Sequence, residues 1–352
     1  MSLPALAQLR AAFPQAHIAL LAPPRSADVL SGSSLIDEVI VYRRREEGVS
    51  AFVNAVRRLR QNRFDLAVLF QNAFEAALLA WMSGIRLRVG YDTQGRGLLL
   101  THKLKTGEHQ RNRHQTNDYL ELVRECERVC LGSVANLPSD NVPVLTASRE
   151  QIAAAEKMLN AYGIKSSDQS LIALNAGATN SRAKCWPEER FAELADKLVN
   201  EIDTSIVLIG ADSERENADR IISQMNSANR AINLAGKTSI AELIGLLARC
   251  SLLVTNDTGP AHVAAALGTP TLTIFGPTNE FETAPLGLRS SIIRAEGIEC
   301  ARCMHRDCPI DHRCMTRISV DEVATRGLES LLVRRHLGRI GQQDAGAPSC
   351  IK

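Results

Sequence analysis

No stretch of the 352-residue sequence comes close to the ~18 to 20 consecutive apolar residues that a membrane-spanning helix needs. The opening residues, MSLPALAQLRAAFP, lack the basic segment followed by an apolar segment that is typical of a secretory signal. The sequence therefore predicts a cytoplasmic protein.

Two nucleotide-binding signatures are also missing. Residues 235–238 read AGKT, but position 231, where a P-loop requires glycine, is Ala231. No G-x-G-x-x-G motif lies between the first visible strand and a helix. These absences exclude a P-loop ATPase and a dinucleotide-dependent oxidoreductase, and we expect no cofactor.

The chain has little excess charge of either sign, because 41 Lys and Arg residues against 39 Asp and Glu residues give a formal net charge of +2. Such a balance predicts no nucleic-acid partner. Basic residues do cluster at 43–45 and 103–114. Each cluster is either ordinary solvated surface or a patch that meets an acidic acceptor or the inner face of the inner membrane, which would make the protein peripheral there.

Nine cysteines, an odd number, fit a reducing compartment better than a disulfide framework. Four of them are grouped, at Cys300, Cys303, Cys308 and Cys314. Together with the interleaved His305 and His312 they could close a zinc site, although the spacing is tighter than in a zinc ribbon. Reduced thiols and a local disulfide are the alternatives, and we expect no catalytic metal.

Hydrophobic residues at 45% and charged residues at 23% are normal for a globular protein, and the length predicts two domains. In the second half, apolar runs alternate with helical patterns. The predicted strands there are SLIALNAGA, SIVLIGA, INLAG, LLVTND and TLTIFG. Strands of this kind, each followed by a helix, predict an α/β fold with a parallel sheet covered on both faces.

The first half repeats this pattern more loosely. Its predicted strands are HIALLAPP, EVIVY, DLAVLF and LRVGY, and its predicted helices are 49–62, 74–83 and 114–130. A turn-rich segment follows, and Ser148 with Gln151 then predicts a capping box at the start of a helix. We therefore expect a first domain at 1–147, a second at 148–332 and a flexible tail at 333–352.

The chain opens with a helical pattern that has Pro4 in its first turn, and no strand pattern precedes it. Because a parallel sheet is built from strand, helix and strand, we expect the first strand of the first domain to be absent from this sequence. The loop after that strand would belong to the ligand site.

The segment 254–278 is the most informative part of the sequence. A strand delivers Asn256 and Asp257 to its carboxyl end, Thr258 and Gly259 open a helix, and Pro260 occupies the first turn. The amide groups and dipole of such a helix start favour an anion by roughly 0.3 to 2 kcal/mol, so a diphosphate would fit. Alternatively, Asp257 and Thr258 merely cap the helix.

A second segment, 175–191, also follows a strand. Its Thr179 and Asn180 can donate hydrogen bonds, and Lys184 could neutralise a phosphate leaving group unless it is an ordinary surface lysine. Trp186 is expected to pack rather than to stack on a ligand. Since both segments follow strands of one parallel sheet, we expect them to form one site.

These segments, with LIGADSERENADRI and INLAGKTSIAELIGLLARCSLLV between them, closely resemble glycosyltransferase family 9, the lipopolysaccharide heptosyltransferases. The segment RVGYDTQGRGLLLT and the spacing of His114 and Tyr119 are similar to that family as well. The cysteine-rich CARCMHRDCPIDHRCM resembles the heptosyltransferase II branch.

The resemblance implies a GT-B fold, in which two Rossmann-like domains with parallel sheets face a central cleft. It implies inverting transfer of heptose from ADP-L-glycero-D-manno-heptose, bound by the second domain. The implied acceptor is heptosyl-Kdo-lipid A of the lipopolysaccharide inner core, bound by the first domain.

The resemblance also implies roles for individual residues. Those implied to be catalytic are Lys184, Asp257 and His262, of which Lys184 would hold the diphosphate while the other two contact the heptose. Those implied to bind substrate are Thr179, Asn180, Glu214, Thr258 and Gly259. Glu214 would bind the ribose, and Asn180 stands where the family often has a hydroxyl residue.

In the family, the base that deprotonates the acceptor is an Asp in a Gly-Asp turn after the first strand. The sequence MSLPAL resembles the helix just beyond that turn, so we expect the base to be absent and transfer to be slower by about 100- to 10,000-fold. Two other hypotheses remain, a donor-binding but inactive family member and a zinc-stabilised interaction protein.

Overall fold

The computed structural model describes residues 1–107, 112–134, 142–164, 170–178 and 181–343, with side chains as far as residue 332. The chain forms two compact units. The first consists of Met1–Pro143 and Phe281–Thr283, and the second of Val144–Glu280 and Ala284–Lys352. Every paired strand in both units is parallel, which confirms the predicted α/β class.

The first unit contains short strands and amphipathic helices. In chain order its elements are α1 (Leu3–Ala12), β1 (Ala19–Ala22), α2 (Pro24–Leu30), β2 (Glu38–Val41), α3 (Arg44–Glu47), α4 (Val49–Asn62), β3 (Leu66–Leu69), α5 (Phe74–Met82), β4 (Leu87–Tyr91), β5 (His102–Leu104) and α6 (Gln115–Leu131). β1 pairs with β2, and a second sheet has the order β3-β4-β5. All four strands and all three helices predicted for this half are present.

The core of the first unit lies where α1 packs on α6 through Ala5, Leu9, Leu120 and Val123. Residues of β1 and β3 are mostly half-buried, unlike the four central strands of the second unit, which are almost wholly buried. The expectation that the first strand of this domain is absent from the sequence stays a prediction.

The second unit is built on one six-stranded sheet. Its elements are α7 (Arg149–Ala161), β6 (Ser170–Asn175), α8 (Glu188–Glu201), β7 (Thr204–Leu208), α9 (Arg215–Gln224), β8 (Ala231–Asn233), α10 (Ile240–Arg249), β9 (Leu252–Asn256), α11 (Gly259–Ala266), β10 (Thr271–Ile274), β11 (Ser290–Ile293), α13 (Arg313–Thr316) and α14 (Val320–Gln343). The short helix α12 (Glu280–Thr283) begins at the last residue of this unit's first segment, and its other residues are assigned to the first unit. The strand order is β11-β10-β9-β6-β7-β8.

Alternate residues of the central strands face opposite layers of helices, because side chains alternate along a strand. Ile172 and Leu174 join a core that includes Phe191 of α8, whereas Leu171 and Ala173 join one that includes Leu159 of α7. The capping box predicted at Ser148 is present, and a second one starts α10 at Ser239, each with its reciprocal hydrogen bonds. The sheet is therefore covered on both faces, as predicted.

The register of this sheet brings three loops together at one edge. Asn175, the last residue of β6, pairs with Thr255, and Ile274 at the end of β10 pairs with Asn256 at the end of β9. The loops that follow β6, β9 and β10 therefore start side by side.

α14 continues to Gln343, beyond residue 333, where the sequence predicts the start of a flexible tail. Within the described ranges, no helix combines the length and the apolar character that crossing a membrane requires.

Candidate active site

Two asparagines join the loops at the carboxyl edge of the second sheet. Asn256 Nδ2 donates to the carbonyl oxygen of Ala176 at 2.7 Å, and its Oδ1 accepts from the backbone N–H of Trp186 at 3.1 Å. Asn175 Nδ2 donates to the Thr258 hydroxyl at 2.8 Å. Both side chains are buried, so these hydrogen bonds are shielded from water and fix the loop after β6 against the loop after β9.

The start of α11 does not use Thr258 as a side-chain cap. Its hydroxyl accepts from Asn175, lies 3.1 Å from the Thr255 hydroxyl and can donate to the Asn256 carbonyl at 3.2 Å. A Cβ atom built on Gly259 would meet no atom within 4 Å. The helix start thus faces open space, and the alternative interpretation of Thr258 as a mere cap is not supported.

Lys184 and Asp257 form an ion pair beside this helix start. Lys184 Nζ lies 2.8 Å from Asp257 Oδ2, and the Thr278 hydroxyl donates to the same oxygen at 2.8 Å. The Asp257 side chain is 7% exposed and that of Lys184 is 27% exposed. Because the carboxylate is the more buried partner, the cation is the one that an incoming anion can reach.

Lys184 sits in a short 3-10 turn, Arg182–Lys184, whose surroundings are rigid. Trp186 is 1% exposed, packs edge-on against Phe191 with ring centroids 5.0 Å apart, and donates its indole N–H to Ile318 at 3.1 Å. The prediction that Trp186 is a packing residue is confirmed. Its burial anchors the chain two residues after Lys184.

Glu214 lies against two glycines in the loops after β6 and β7. A Cβ atom on Gly177 would collide with the Glu214 carboxyl group, and one on Gly210 would lie 2.6 Å from Glu214 Oε2. The same oxygen accepts from the Ala211 N–H at 2.8 Å. Only glycine at these two positions lets the carboxylate lie over the strand ends.

The remaining predicted site residues divide into two groups. His262 is half-buried in the first turn of α11, after Gly259. Thr179 and Asn180 lie outside the described residues. No sequence pattern indicated the roles of Asn175 and Thr278, because polar residues at strand ends are common and their partners here are distant in sequence.

The cysteine-rich segment, residues 300–314, lies next to the Lys184 turn. Its four cysteines are unpaired in this structure, which agrees with reduced thiols. Burial and the neighbouring thiols of Cys308, Cys300 and Cys303 raise the pKa of Cys314 to about 11. Among the residues that the structure describes, no three His, Cys, Asp or Glu side chains are arranged to hold a metal ion.

In the first unit, Arg96 is fully buried and joins the ends of β3 and β4. It donates from Nε to the Tyr91 carbonyl at 2.8 Å and from Nη2 to Asn72 Oδ1 at 3.0 Å. A further hydrogen bond of 3.2 Å reaches the Ala73 carbonyl. This side chain lies in the segment 88–101 that resembles the family, and it shapes the loop after β3.

Two Rossmann-like units, one of which carries an open helix start, a lysine and a buried aspartate at its carboxyl edge, define a glycosyltransferase of the GT-B class. The sequence model of glycosyltransferase family 9 (heptosyltransferase) matches residues 53–313. The chain belongs to this family and is a glycosyltransferase.

Individual relatives agree with the family. The chain is 31% identical over 299 residues to lipopolysaccharide heptosyltransferase 2 of Salmonella typhimurium, and 30% identical over 300 residues to that of Escherichia coli K12. Each alignment covers 81% of both proteins. The solved E. coli ADP-heptose lipopolysaccharide heptosyltransferase II is 26% identical, with a TM-score of 0.77 over 95% of both chains. A family 9 glycosyl transferase from Veillonella parvula shares the fold, with a TM-score of 0.79, 23% identity and coverage of 94% of this chain and 92% of its own.

Proposed function

We propose that this protein transfers heptose from ADP-L-glycero-D-manno-heptose to the lipopolysaccharide inner core, with heptosyl-Kdo-lipid A as acceptor and inversion at the anomeric carbon. The names of the relatives support the reaction class, since they are lipopolysaccharide heptosyltransferases and one is named for ADP-heptose. The observation that carries the proposal is the Lys184–Asp257 pair beside the open start of α11.

The diphosphate of the donor fits this place for electrostatic reasons. Amide groups of Thr258 and Gly259 at the helix start would meet phosphate oxygens, and the helix dipole favours negative charge there. Lys184 would turn from Asp257 toward the diphosphate. Its charge would then neutralise the ADP leaving group as the bond from C1 to the phosphate oxygen breaks.

The other ends of the donor would contact the rest of the site. Glu214, held over Gly177 and Gly210, would accept hydrogen bonds from the ribose hydroxyls. Asp257, kept in place by Thr278, and His262 would contact the heptose. Inversion in one step also needs a base for the acceptor hydroxyl, and the expectation that this base is absent from the sequence stays a prediction.

Calorimetry with ADP tests the donor site. Lys184→Ala should weaken ADP binding by about tenfold or more, because a charge-assisted contact is lost and Asp257 keeps its charge next to the diphosphate. Lys197→Ala is the matched control, since it also breaks a Lys–Asp ion pair, with Asp321 on an exposed face of α8 and α14. The control should bind ADP as the unaltered protein does.

Transfer is measured separately, as the mass increase of heptosyl-Kdo-lipid A after incubation with ADP-heptose. Product formation that falls in Lys184→Ala supports the whole proposal. ADP binding without any product would favour a donor-binding but inactive family member. Absence of ADP binding by the folded, unaltered protein would refute the donor site.

The proposal includes peripheral contact of the basic residues in 103–114 with the membrane. Lys103 lies 3.7 Å from Asp92, and Arg113 lies 3.0 Å from Glu121, so part of the basic charge in 103–114 is offset within the unit. Co-sedimentation with vesicles containing anionic lipid, at low and at physiological salt, would show whether the remaining positive charge suffices to bind the membrane.

A further inference from the structure

The cysteine-rich segment makes two sets of contacts that the donor site does not explain. One set reaches the turn that carries Lys184. The Ala183 N–H donates to the Arg306 carbonyl at 2.9 Å, and the Ser181 hydroxyl donates to the same oxygen at 3.1 Å. His312 Nε2 lies 2.7 Å from the Ala183 carbonyl oxygen.

The second set reaches the loop after β10. This loop carries Thr278, whose hydroxyl donates to Asp257. The Met304 N–H donates to the Pro277 carbonyl at 3.0 Å. At Gly276, an added Cβ atom would collide with Met315 and lie 3.2 Å from the Cys314 sulfur, so α13 packs directly on this loop. The segment therefore contacts the loops of both partners in the Lys184–Asp257 pair.

The backbone of the segment is strained to make these contacts. Arg302, Met304 and His312 all have left-handed backbone angles, with φ of 63°, 59° and 58°. Residues other than glycine rarely adopt this conformation, and such strain persists only where the surroundings impose it. At His312 the conformation starts α13 and aims the imidazole at the Lys184 turn.

The chemistry of the His312 contact is unambiguous. A carbonyl oxygen can only accept, so Nε2 of His312 must carry the proton and donate it to Ala183. Ala183 is 3% exposed, and its carbonyl would lose a shielded partner if the imidazole were removed. The next residue along the chain is Lys184.

We propose that His312 is a positioning residue for Lys184, and that the cysteine-rich segment holds the Lys184 turn and the loop after β10 in the positions that the diphosphate site requires. This inference rests on the proposed function, because it assigns to His312 an effect on the same donor site. His312 does not touch the donor. It fixes the turn from which the Lys184 ammonium reaches the phosphate.

A double-mutant cycle with ADP calorimetry tests the proposal. His312→Asn tolerates the left-handed backbone but is too short to reach Ala183, so ADP should bind about tenfold more weakly. On a Lys184→Ala background the same change should alter ADP binding by no more than about twofold, because its effect passes through Lys184. His312→Gln, which can still donate, should restore most of the affinity.

His305→Ala is the matched control, since His305 is an exposed histidine of the same segment, and it should leave ADP binding unchanged. Ser181→Ala is a second route to the same test and removes a hydrogen bond at a half-exposed site, so folding is not at risk. It should weaken ADP binding a few-fold, by the partial loss of one neutral hydrogen bond.

Unchanged ADP affinity in folded His312→Asn, or in Ser181→Ala if the former is unfolded, would overturn the proposal. An equal loss on both backgrounds would also overturn it, because a general structural role does not depend on Lys184. If Lys184→Ala itself binds ADP normally, the donor site is wrong, and this failure is visible before any His312 variant is compared.

Discussion

Replacement of Gly259 by alanine should separate stability from donor binding. The backbone of Gly259 is not in the left-handed region, and a Cβ atom there meets nothing within 4 Å, so the folded protein can accept alanine without strain. Alanine is a better helix former than glycine by about 0.5 to 1 kcal/mol in a helix interior, and less at a helix end. The free energy of unfolding should therefore stay equal or rise by a few tenths of a kcal/mol.

Donor binding should change in the opposite direction. If phosphate oxygens approach the α11 start, the added methyl group occupies the space that they need and lengthens their contacts with the backbone N–H groups. Loss of one hydrogen bond to a charged group costs about 1.5 to 3 kcal/mol, which corresponds to at least tenfold weaker ADP binding.

Thermal melts check the predicted stability of Gly259→Ala, and calorimetry with ADP checks its predicted loss of binding on the same sample. A folded Gly259→Ala protein that binds ADP as tightly as the unaltered chain would refute the placement of the diphosphate at α11. A clear loss of stability would contradict the open space seen above Gly259.

Gly177→Ala should push the Glu214 carboxyl away from its place, because the new methyl group collides with it; adenosine binding, measured by calorimetry, should weaken about tenfold while the melting temperature changes little. Unchanged adenosine affinity would argue against Glu214 as the ribose ligand. A separate prediction concerns stability in acid. Burial by itself raises the pKa of Glu280. Hydrogen bonds from Arg302 and Arg294 outweigh this effect of burial, so the pKa lies below its ordinary value of 4.5. The contribution of ionised Glu280 to the free energy of unfolding is therefore complete above the unfolded-state pKa. It is lost as pH falls below about 4.5 through the folded-state pKa. Urea melts of Glu280→Gln should therefore show a shallower loss of stability over this pH range than melts of the unaltered protein.

Local sequence patterns predicted most of the regular structure. Helix α4 has the predicted ends, Val49–Asn62, because its apolar residues recur at helical spacing and polar residues fill the other face. The strands β5 and β11 were not predicted. β5 has only three residues, two of them polar, and half of β11 is serine, so neither shows an apolar run.

The end of the chain shows a helix that continues past a predicted boundary. The sequence beyond residue 333 contains Gly338 and Gly341 among polar residues and was expected to be a flexible tail. α14 nevertheless continues to Gln343, since leucine, arginine and glutamine are good helix formers and an isolated glycine weakens a helix without ending it.

The candidate site was predictable in location but not in its contacts. Fold topology requires the loops after β6 and β9 to meet, and that much follows from the strand pattern. The Lys184–Asp257 pair spans 73 positions and the Asn175–Thr258 bond spans 83, so no local rule could find them. Thr258 does not cap α11 with its side chain, because its hydroxyl accepts a hydrogen bond from Asn175 rather than from the helix amides. This contact could not be predicted from the residues next to Thr258.

The ion pair at the site bears on which nucleotides the protein prefers. Lys184 has a carboxylate partner at 2.8 Å, so an incoming anion must compete with Asp257 for the ammonium. The single phosphate of AMP carries about 1.5 to 2 negative charges at pH 7 and can replace Asp257 as the partner of Lys184, but it gains little beyond that exchange. A diphosphate brings more charge and can contact the α11 amides and Lys184 together, which offsets the lost pair. On the proposed function, ADP should therefore bind much more tightly than AMP in calorimetry, and Asp257→Asn should strengthen the binding of both nucleotides, because neither would then compete with a carboxylate for Lys184.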